Sequence, residues 1–239
     1  MMSAAFAELG LGWRYFHLPV APERFAATVA ALPASGYRGA NVTIPHKLAA
    51  HELAGEVSDA AAAIGAVNTL SFEPGGRVLG DNTDAGGLLD ALGGEPPPRA
   101  LVLGAGGAAR AAVWALREAG AEVTVWTRTP ARGRALALEF GVGYAGAPGP
   151  AELMVNATSV GLEPGDTLDG LPLVEAETVV DLVYGGEPTP FERWGTERGA
   201  RVIDGLEVLV RQGARSLGIW TGREAPLEAM RRGARRPRV

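Results

Sequence analysis

Cysteine is absent from the 239 residues, which removes disulfides, thiolate metal ligands and thiol catalysis from consideration. Lysine is nearly absent: of the 22 basic side chains only Lys47 is lysine, so arginine carries positive charge everywhere else. Glutamine occurs once, as Gln212, and asparagine four times, as Asn41, Asn68, Asn82 and Asn156. No apolar run approaches the roughly 20 residues a membrane-spanning helix needs. The opening MMSAAFAELGLGWR has no basic segment ahead of an apolar core, so it does not read as a signal peptide, and a cytoplasmic protein is expected. A formal net charge of −5 argues against a general nucleic-acid binder. The tail RRGARRPRV is locally basic but reads as a solvated, partly disordered terminus. What remains is a globular chain, 47% hydrophobic and long enough to bury a sizeable core.

Where the composition disfavours a residue type, each occurrence calls for a local reason. The four asparagines lie in the polar, threonine-containing stretches NVT, VNTL, DNTD and NATS. Amide side chains donate and accept, which suits recognition of hydroxyls and carbonyls. Turn and cap chemistry explains any one of them equally well, but explains the set less well.

Along the chain, residues 1–9 read as a short amphipathic helix with Phe6 and Leu9 on its apolar side. WRYFHLPV reads as a strand, followed by a helix from Pro22 to Leu32 with proline in its first turn. GANVTI reads as a strand running into Pro45, where a helix PHKLAAHEL should begin at once. Lys47 then falls in the first turn, near the positive end of the helix dipole, a poor place for a cation that serves only solubility. A helix over 58–64, a hairpin of VNTLSFE and RVLGDNT joined at PGG, and a helix over 85–92 complete this half. GGEPPPR marks the domain boundary. Beyond it, apolar strands alternate with helices, the pattern of a parallel sheet covered on both faces. The strands are at ALVLG, EVTVW, ELMVNAT, ETVVDLVY and RVID, and GLEVLVRQGARSLGIWTG is the long final helix.

LVLGAGGAARAAV sets Gly104, Gly106 and Ala109 in the G-x-G-x-x-G/A pattern, after a buried strand and at the start of a helix. That context places a pyrophosphate at the helix N-terminus. An NAD site carries an acidic residue about 20 positions on, at the end of the second strand. Here that strand ends in TRTPAR, and Glu122 lies at its wrong end. Arg128, Thr129 and Arg132 are instead placed to hold a 2′-phosphate, so NADP is the expected cofactor.

Lys47 and Asp84 fit an acid–base pair. A lysine can lose its proton and an arginine cannot, while a neighbouring aspartate orients and balances the ammonium. A surface ion pair would explain neither the solitary lysine nor its place after Pro45.

GANVTIPHK, GAVNTL, GDNTDAGG, GAGGAARA, NATSVGL, DLVY and DGLEVLVRQGA occur in this order and span nearly the whole chain. Together they resemble the landmarks of the shikimate dehydrogenase family. The resemblance implies an α/β protein with a Rossmann NADP-binding domain over 95–205. A smaller substrate-binding domain over 1–94 is completed by C-terminal helices over 206–239, with the active site in the cleft between. It implies NADPH-dependent reduction of 3-dehydroshikimate to shikimate, in aromatic amino-acid biosynthesis. By motif, Lys47 and Asp84 take the catalytic positions. Thr43, Asn68, Asp84 and Gln212 contact the substrate, and Tyr184 lies near the substrate or nicotinamide. Gly104, Ala105, Gly106, Gly107, Ala108, Arg128, Thr129, Arg132, Asn156, Thr158 and Gly205 contact NADP. No metal is implied, and the assembly is a monomer or homodimer with a small-molecule substrate as its only partner class.

Two features depart from the family pattern. Thr127 stands where an asparagine usually precedes the Arg-Thr of the cofactor strand. Family members also begin with a strand and a Ser-x-Ser loop that binds the substrate carboxylate, whereas these residues start inside the first helix. The expectation is a truncated chain of a normal enzyme. The other readings are a quinate/shikimate dehydrogenase and an NADP-binding protein with little or no activity.

Overall fold

Two sheets of different chemistry divide the chain in the computed structural model, which describes residues 1–185 and 187–235. The last four residues of the basic tail, within the C-terminal stretch 206–239, lie outside the described residues.

The first sheet is small and mixed. Helix α1 (Met2–Glu8) is followed by a 3₁₀ turn (Pro22–Arg24) that runs into α2 (Phe25–Ala31), with Pro22 at the first helical position as its fixed φ favours. Strand β1 (Gly39–Asn41), α3 (Lys47–Leu53), β2 (Glu56–Val57), α4 (Asp59–Ile64), β3 (Thr69–Phe72), β4 (Val78–Asp81) and α5 (Thr83–Leu92) follow. The strands are ordered β1-β3-β4-β2, with β3 and β4 forming the expected antiparallel hairpin. Phe25, Val29, Val42, Ala50, Ala61, Val67, Leu70 and Phe72 close the core between this sheet and its helices.

The structure corrects three sequence expectations here. WRYFHLPV is not a strand: residues 14–19 are all exposed, and no strand among the described residues pairs with them. β-propensity expresses fit to a half-buried pleated surface, and this segment has none. Trp13 instead packs edge-on to Phe6, with ring centroids 5.6 Å apart. GANVTI forms strand only as far as Asn41. The helix expected at Pro45 begins at Lys47. The Ile44–Pro45 bond is cis and sits in a turn closed by the His46 N–H on the Thr43 carbonyl at 2.9 Å, which uses up Pro45 before the helix starts.

The second sheet is wholly parallel. β5 (Arg99–Leu103), α6 (Gly107–Glu118), β6 (Glu122–Trp126), α7 (Pro130–Phe140), β7 (Gly143–Tyr144), β8 (Leu153–Asn156), β9 (Thr178–Asp181), α8 (Pro190–Glu197) and β10 (Arg201–Ile203) give the order β10-β9-β8-β5-β6-β7. Successive strand residues serve opposite cores. Ala100 and Val102 pack with Val113 and Leu116 of α6, while Leu101 and Leu103 pack with Phe191 of α8 on the other face. The chain leaves β5 toward β6 and later returns to β8 on β5's other side. That reversal opens a crevice at the C-terminal ends of β5 and β8.

Helix α9 (Gly205–Thr221) leaves this sheet and packs along α5, carrying the chain back to the first one. It is not the last helix: after Gly222, α10 (Leu227–Ala234) folds back on it. Phe6, Val210, Leu217 and Met230 form the apolar contact of α1, α9 and α10. No helix among the described residues is long and apolar enough to cross a membrane.

Glu207 fastens α9 to α10. Its carboxylate accepts from Arg211 Nε at 2.7 Å, and from Arg231 Nη2 and Nε at 2.7 and 2.9 Å. Arg231 above all, then Arg211, pulls its pKa down to about 2 against burial that pushes it up. A depressed carboxylate stabilises the fold above its unfolded pKa and loses that contribution as the pH falls through the folded value. Glu207→Gln is therefore expected to lower Tm at neutral pH and to flatten its fall between about pH 4.5 and pH 2. Calorimetry across that range checks it, and an unchanged acid limb contradicts it.

Candidate active site

Lys47 is the first residue of α3, where exposed N–H groups make a cation unwelcome. The loop before it is fixed by His46, whose ring stacks on Phe25 at 4.4 Å and whose Nε2 lies 2.9 Å from the Val20 carbonyl. The Lys47 carbonyl accepts from the Val67 N–H at 2.9 Å. Its ammonium donates to Asp84 Oδ2 at 2.7 Å, with the two side chains 13% and 20% exposed. Asp84 stands in the first turn of α5, where a carboxylate is favoured. Asn82 caps that helix, accepting from the N–H groups of Asp84 and Ala85 while donating to the Ala66 carbonyl at 2.9 Å.

The other oxygen of Asp84 accepts from Asn68 Nδ2 at 2.9 Å. The Asn68 amide cannot be reversed, because its Oδ1 faces the Thr83 backbone N–H at 2.8 Å, and that group can only donate. Gln212 of α9 turns its Oε1 to Asn68 Nδ2 at 3.1 Å and to the Thr83 hydroxyl at 3.3 Å. Its two amide N–H donors have no partner among the described residues. Thr43 lies in the exposed loop ahead of α3, and its side chain makes no hydrogen bond among the described residues. Tyr184 follows β9 and is 39% exposed.

The dinucleotide pattern forms the turn from β5 into α6. Gly104 has φ +121°, and a Cβ there would stand 2.6 Å from the Ala157 carbonyl oxygen of the loop after β8. Space is open where a Gly106 side chain would be, and Gly106 caps α6. A Cβ on Gly107 would lie 3.3 Å from Lys47 Cβ, so the lysine stem runs against this turn. Arg128 and Arg132 flank the start of α7, both exposed and without an ion pair or hydrogen bond from the side chain among the described residues. Thr129 caps the same helix by its backbone, with Pro130 next. An open turn and two unpaired guanidiniums fit a phosphorylated dinucleotide.

Asn156 differs from Asn68. It is fully buried, donates to Asp181 Oδ1 at 2.9 Å and the Val160 carbonyl at 3.1 Å, and accepts from the N–H and hydroxyl of Thr158. Its side chain shapes the loop that carries Thr158. Asp181 accepts in addition from the Val183 N–H at 2.9 Å and the Thr189 hydroxyl at 2.5 Å. Burial outweighs these donors and pushes its pKa up to about 7. Gly205, at the start of α9, has no room for a side chain, since a Cβ would stand 2.1 Å from the Val183 carbonyl oxygen.

Family models match both ends of the chain: "Shikimate dehydrogenase substrate binding domain" over residues 1–70 and "Shikimate 5'-dehydrogenase C-terminal domain" over residues 205–234. The shikimate dehydrogenase (NADP(+)) of Anaeromyxobacter sp. (strain Fw109-5) is 44% identical over 244 residues, covering 95% of this chain and 86% of its own length. The chain belongs to the shikimate dehydrogenase family. A shikimate dehydrogenase (NADP(+)) of Thermus thermophilus is 49% identical over 207 residues, 84% of this chain and 78% of its own. A crystal structure of shikimate 5-dehydrogenase from Thermus thermophilus in complex with NADP(H) and shikimate has a TM-score of 0.90 to this fold at 43% identity, covering 98% of this chain and 92% of that one.

Within this family member, sequence reasoning missed Thr83, Ser216 and Tyr15, which join the polar network around Asn68 and Asn41. Tyr15 donates its hydroxyl to Asn41 Oδ1 at 2.9 Å, and burial of that end, then the neighbouring Tyr184 phenol, push its pKa up to about 12. Only Thr83 had a signal, as the threonine inside GDNTD. Gly104→Ala is expected to lower stability by about 1–3 kcal/mol through its left-handed φ and to weaken dinucleotide binding. Thermal unfolding and NADPH fluorescence check this, and wild-type values in both contradict it.

Proposed function

We propose that the chain reduces the ring carbonyl of 3-dehydroshikimate to the alcohol of shikimate with NADPH, reversibly, using Lys47 and Asp84 as its acid–base pair. The observation that carries this is the 2.7 Å contact of Lys47 with Asp84 beside the Gly107 turn, joined to membership of a family whose relatives are named for this reaction. NADPH, when bound, supplies the hydride. Lys47 holds a proton at the substrate oxygen that becomes the alcohol and gives it up as charge develops there. In the reverse direction the neutral amine takes that proton back. Asp84 keeps the ammonium aimed, and Asn68 keeps Asp84 aimed. The free amide donors of Gln212, with Thr43, Asn68 and Asp84, hold substrate hydroxyls, and Tyr184 borders the same space.

Gly104, Ala105, Gly106, Gly107 and Ala108 hold the pyrophosphate, and Arg128, Thr129 and Arg132 the 2′-phosphate. Thr158, Gly205 and the loop organised by Asn156 complete the nicotinamide end. Residues 1–94 with 206–239 serve the substrate and 95–205 the cofactor, a division supported by α9 leaving the parallel sheet to pack on α5.

Lys47→Ala is expected to lower kcat by about 10²–10⁴ while NADPH affinity stays at the wild-type value. Turnover within a few-fold of wild type removes Lys47 from its role. Arg128→Ala with Arg132→Ala is expected to raise KM for NADP by about tenfold or more, since hydrogen bonds to charged groups are of that strength, and to leave NAD unaffected. Equal effects on the two cofactors contradict the 2′-phosphate assignment. Steady-state assays with shikimate and with quinate test the substrate.

A further inference from the structure

Beneath the Lys47–Asp84 pair lies a triangle of three hydroxyls from three elements: Thr69 of β3, Thr83 of α5 and Ser216 of α9. Their oxygens are 2.8 Å (Thr69–Ser216), 3.1 Å (Thr83–Ser216) and 3.2 Å (Thr69–Thr83) apart. All three are buried, Ser216 completely. We propose that Ser216 is a positioning residue for the reaction: its hydroxyl braces the hydrogen bonds that hold the Asn68 amide toward Asp84 and hold Gln212 at the substrate. This rests on the proposed function.

The direction of these bonds follows from groups that can only give or only take. The Asn68 backbone carbonyl can only accept and lies 3.5 Å from Asn41 Nδ2, while Tyr15 donates to Asn41 Oδ1 from the other side. The Asn41 amide is thereby fixed, and Nδ2 donates to Ser216 Oγ at 2.9 Å. With that lone pair occupied, the Ser216 proton has two acceptors, the Gln212 carbonyl four residues back at 3.1 Å and Thr69 Oγ1 at 2.8 Å. Thr69 gives its own proton to Asn68 Oδ1 at 3.0 Å, reinforcing the Thr83 N–H on the same oxygen. The amide is polarised so that Nδ2 faces Asp84 Oδ1 and Gln212 Oε1. Ser216 also stands one helical turn after Gln212, over whose carbonyl its oxygen lies at 3.1 Å. Two amides interrupt the chain of hydroxyls, so no proton passes along it, and the role is orientation alone.

The test compares turnover of shikimate with NADP and equilibrium binding of shikimate in the full chain and in Ser216→Ala, Ser216→Cys and Thr221→Ala. Thr221 is the control: on the same helix it makes the same bond to the carbonyl four residues back, at 2.7 Å to Leu217, without touching the triangle. Ser216→Ala is expected to lower kcat/KM for shikimate by about tenfold, the scale of one hydrogen bond in a buried network, with KM for NADP unchanged. Ser216→Cys keeps the volume with a weak donor and should lie between, while Thr221→Ala stays at wild type. A Ser216→Ala loss that Thr221→Ala matches, or that vanishes per folded molecule, overturns the proposal. If Ser216→Ala does not fold, Ser216→Cys and Thr69→Val decide: a shikimate-specific loss in both supports it, and wild-type values in either overturn it. A parent chain that binds shikimate without turning it over defeats the proposed function alone, and shikimate affinity then reads Ser216. Equal affinity in parent and variant, or no binding by the parent, overturns the positioning role.

Discussion

The Lys47–Asp84 pair places a cation at a helix N-terminus, and much of the surrounding structure exists to make that tolerable. At an effective dielectric of about 20, opposite charges 4 Å apart attract by about 4 kcal/mol, before the cost of removing both from water. With both side chains largely buried, that desolvation consumes most of the gain, so the pair contributes little net stability. Losing one partner is another matter, because it strands a largely buried charge. An interaction poor for stability and costly to break is better explained by chemistry than by folding.

Holding Asp84 in place requires elements distant in sequence. Asn82 starts α5 and so sets where the carboxylate points, while Asn68, on the loop into β3, fixes its second oxygen. Helix α9 adds Gln212 to the same cluster while packed along α5, which itself lies on α6 of the parallel sheet. Arg110 of α6 binds the Ile64 carbonyl at the end of α4 at 2.6 Å and pairs with Glu139, tying the two sheets' helices together on the other side. The crevice at the switch point therefore has the Lys47–Asp84 pair on one wall and the glycine turn on the other.

What was legible in the sequence was what is decided locally. The glycine turn, the PGG hairpin and the buried strands each carry their reason within a few residues. Rarity also marked residues that the fold brings together: Lys47 and Gln212, each the single residue of its type, both join the hydrogen-bonded cluster of Asn68 and Asp84. The asparagines divided, with Asn41 and Asn68 in the polar network, Asn82 in a cap and Asn156 in a buried loop clasp. Residues 13–20 were misread because a strand is a property of its neighbours as much as of its own side chains. Ser216 and Tyr15 were invisible because their partners lie 147 and 26 positions away, and serine and tyrosine are not rare enough to stand out.

Asp181 shows the same preference for geometry over stability in the parallel-sheet domain. One buried carboxylate gathers Asn156, Val183 and Thr189, so the loop carrying Thr158, the loop carrying Tyr184 and the start of α8 share a single anchor. Three donors favour its ionised form, yet burial wins and raises its pKa from 3.8 to about 7. A carboxyl raised in this way binds its proton more tightly folded than unfolded, so its contribution falls as the pH rises from about 4 to about 7. Above that range the fold carries a buried charge that a smaller apolar residue would spare it. No apolar residue could accept from an amide, a backbone N–H and a hydroxyl at once, and without those three bonds nothing would fix the two loops relative to each other at the mouth of the crevice.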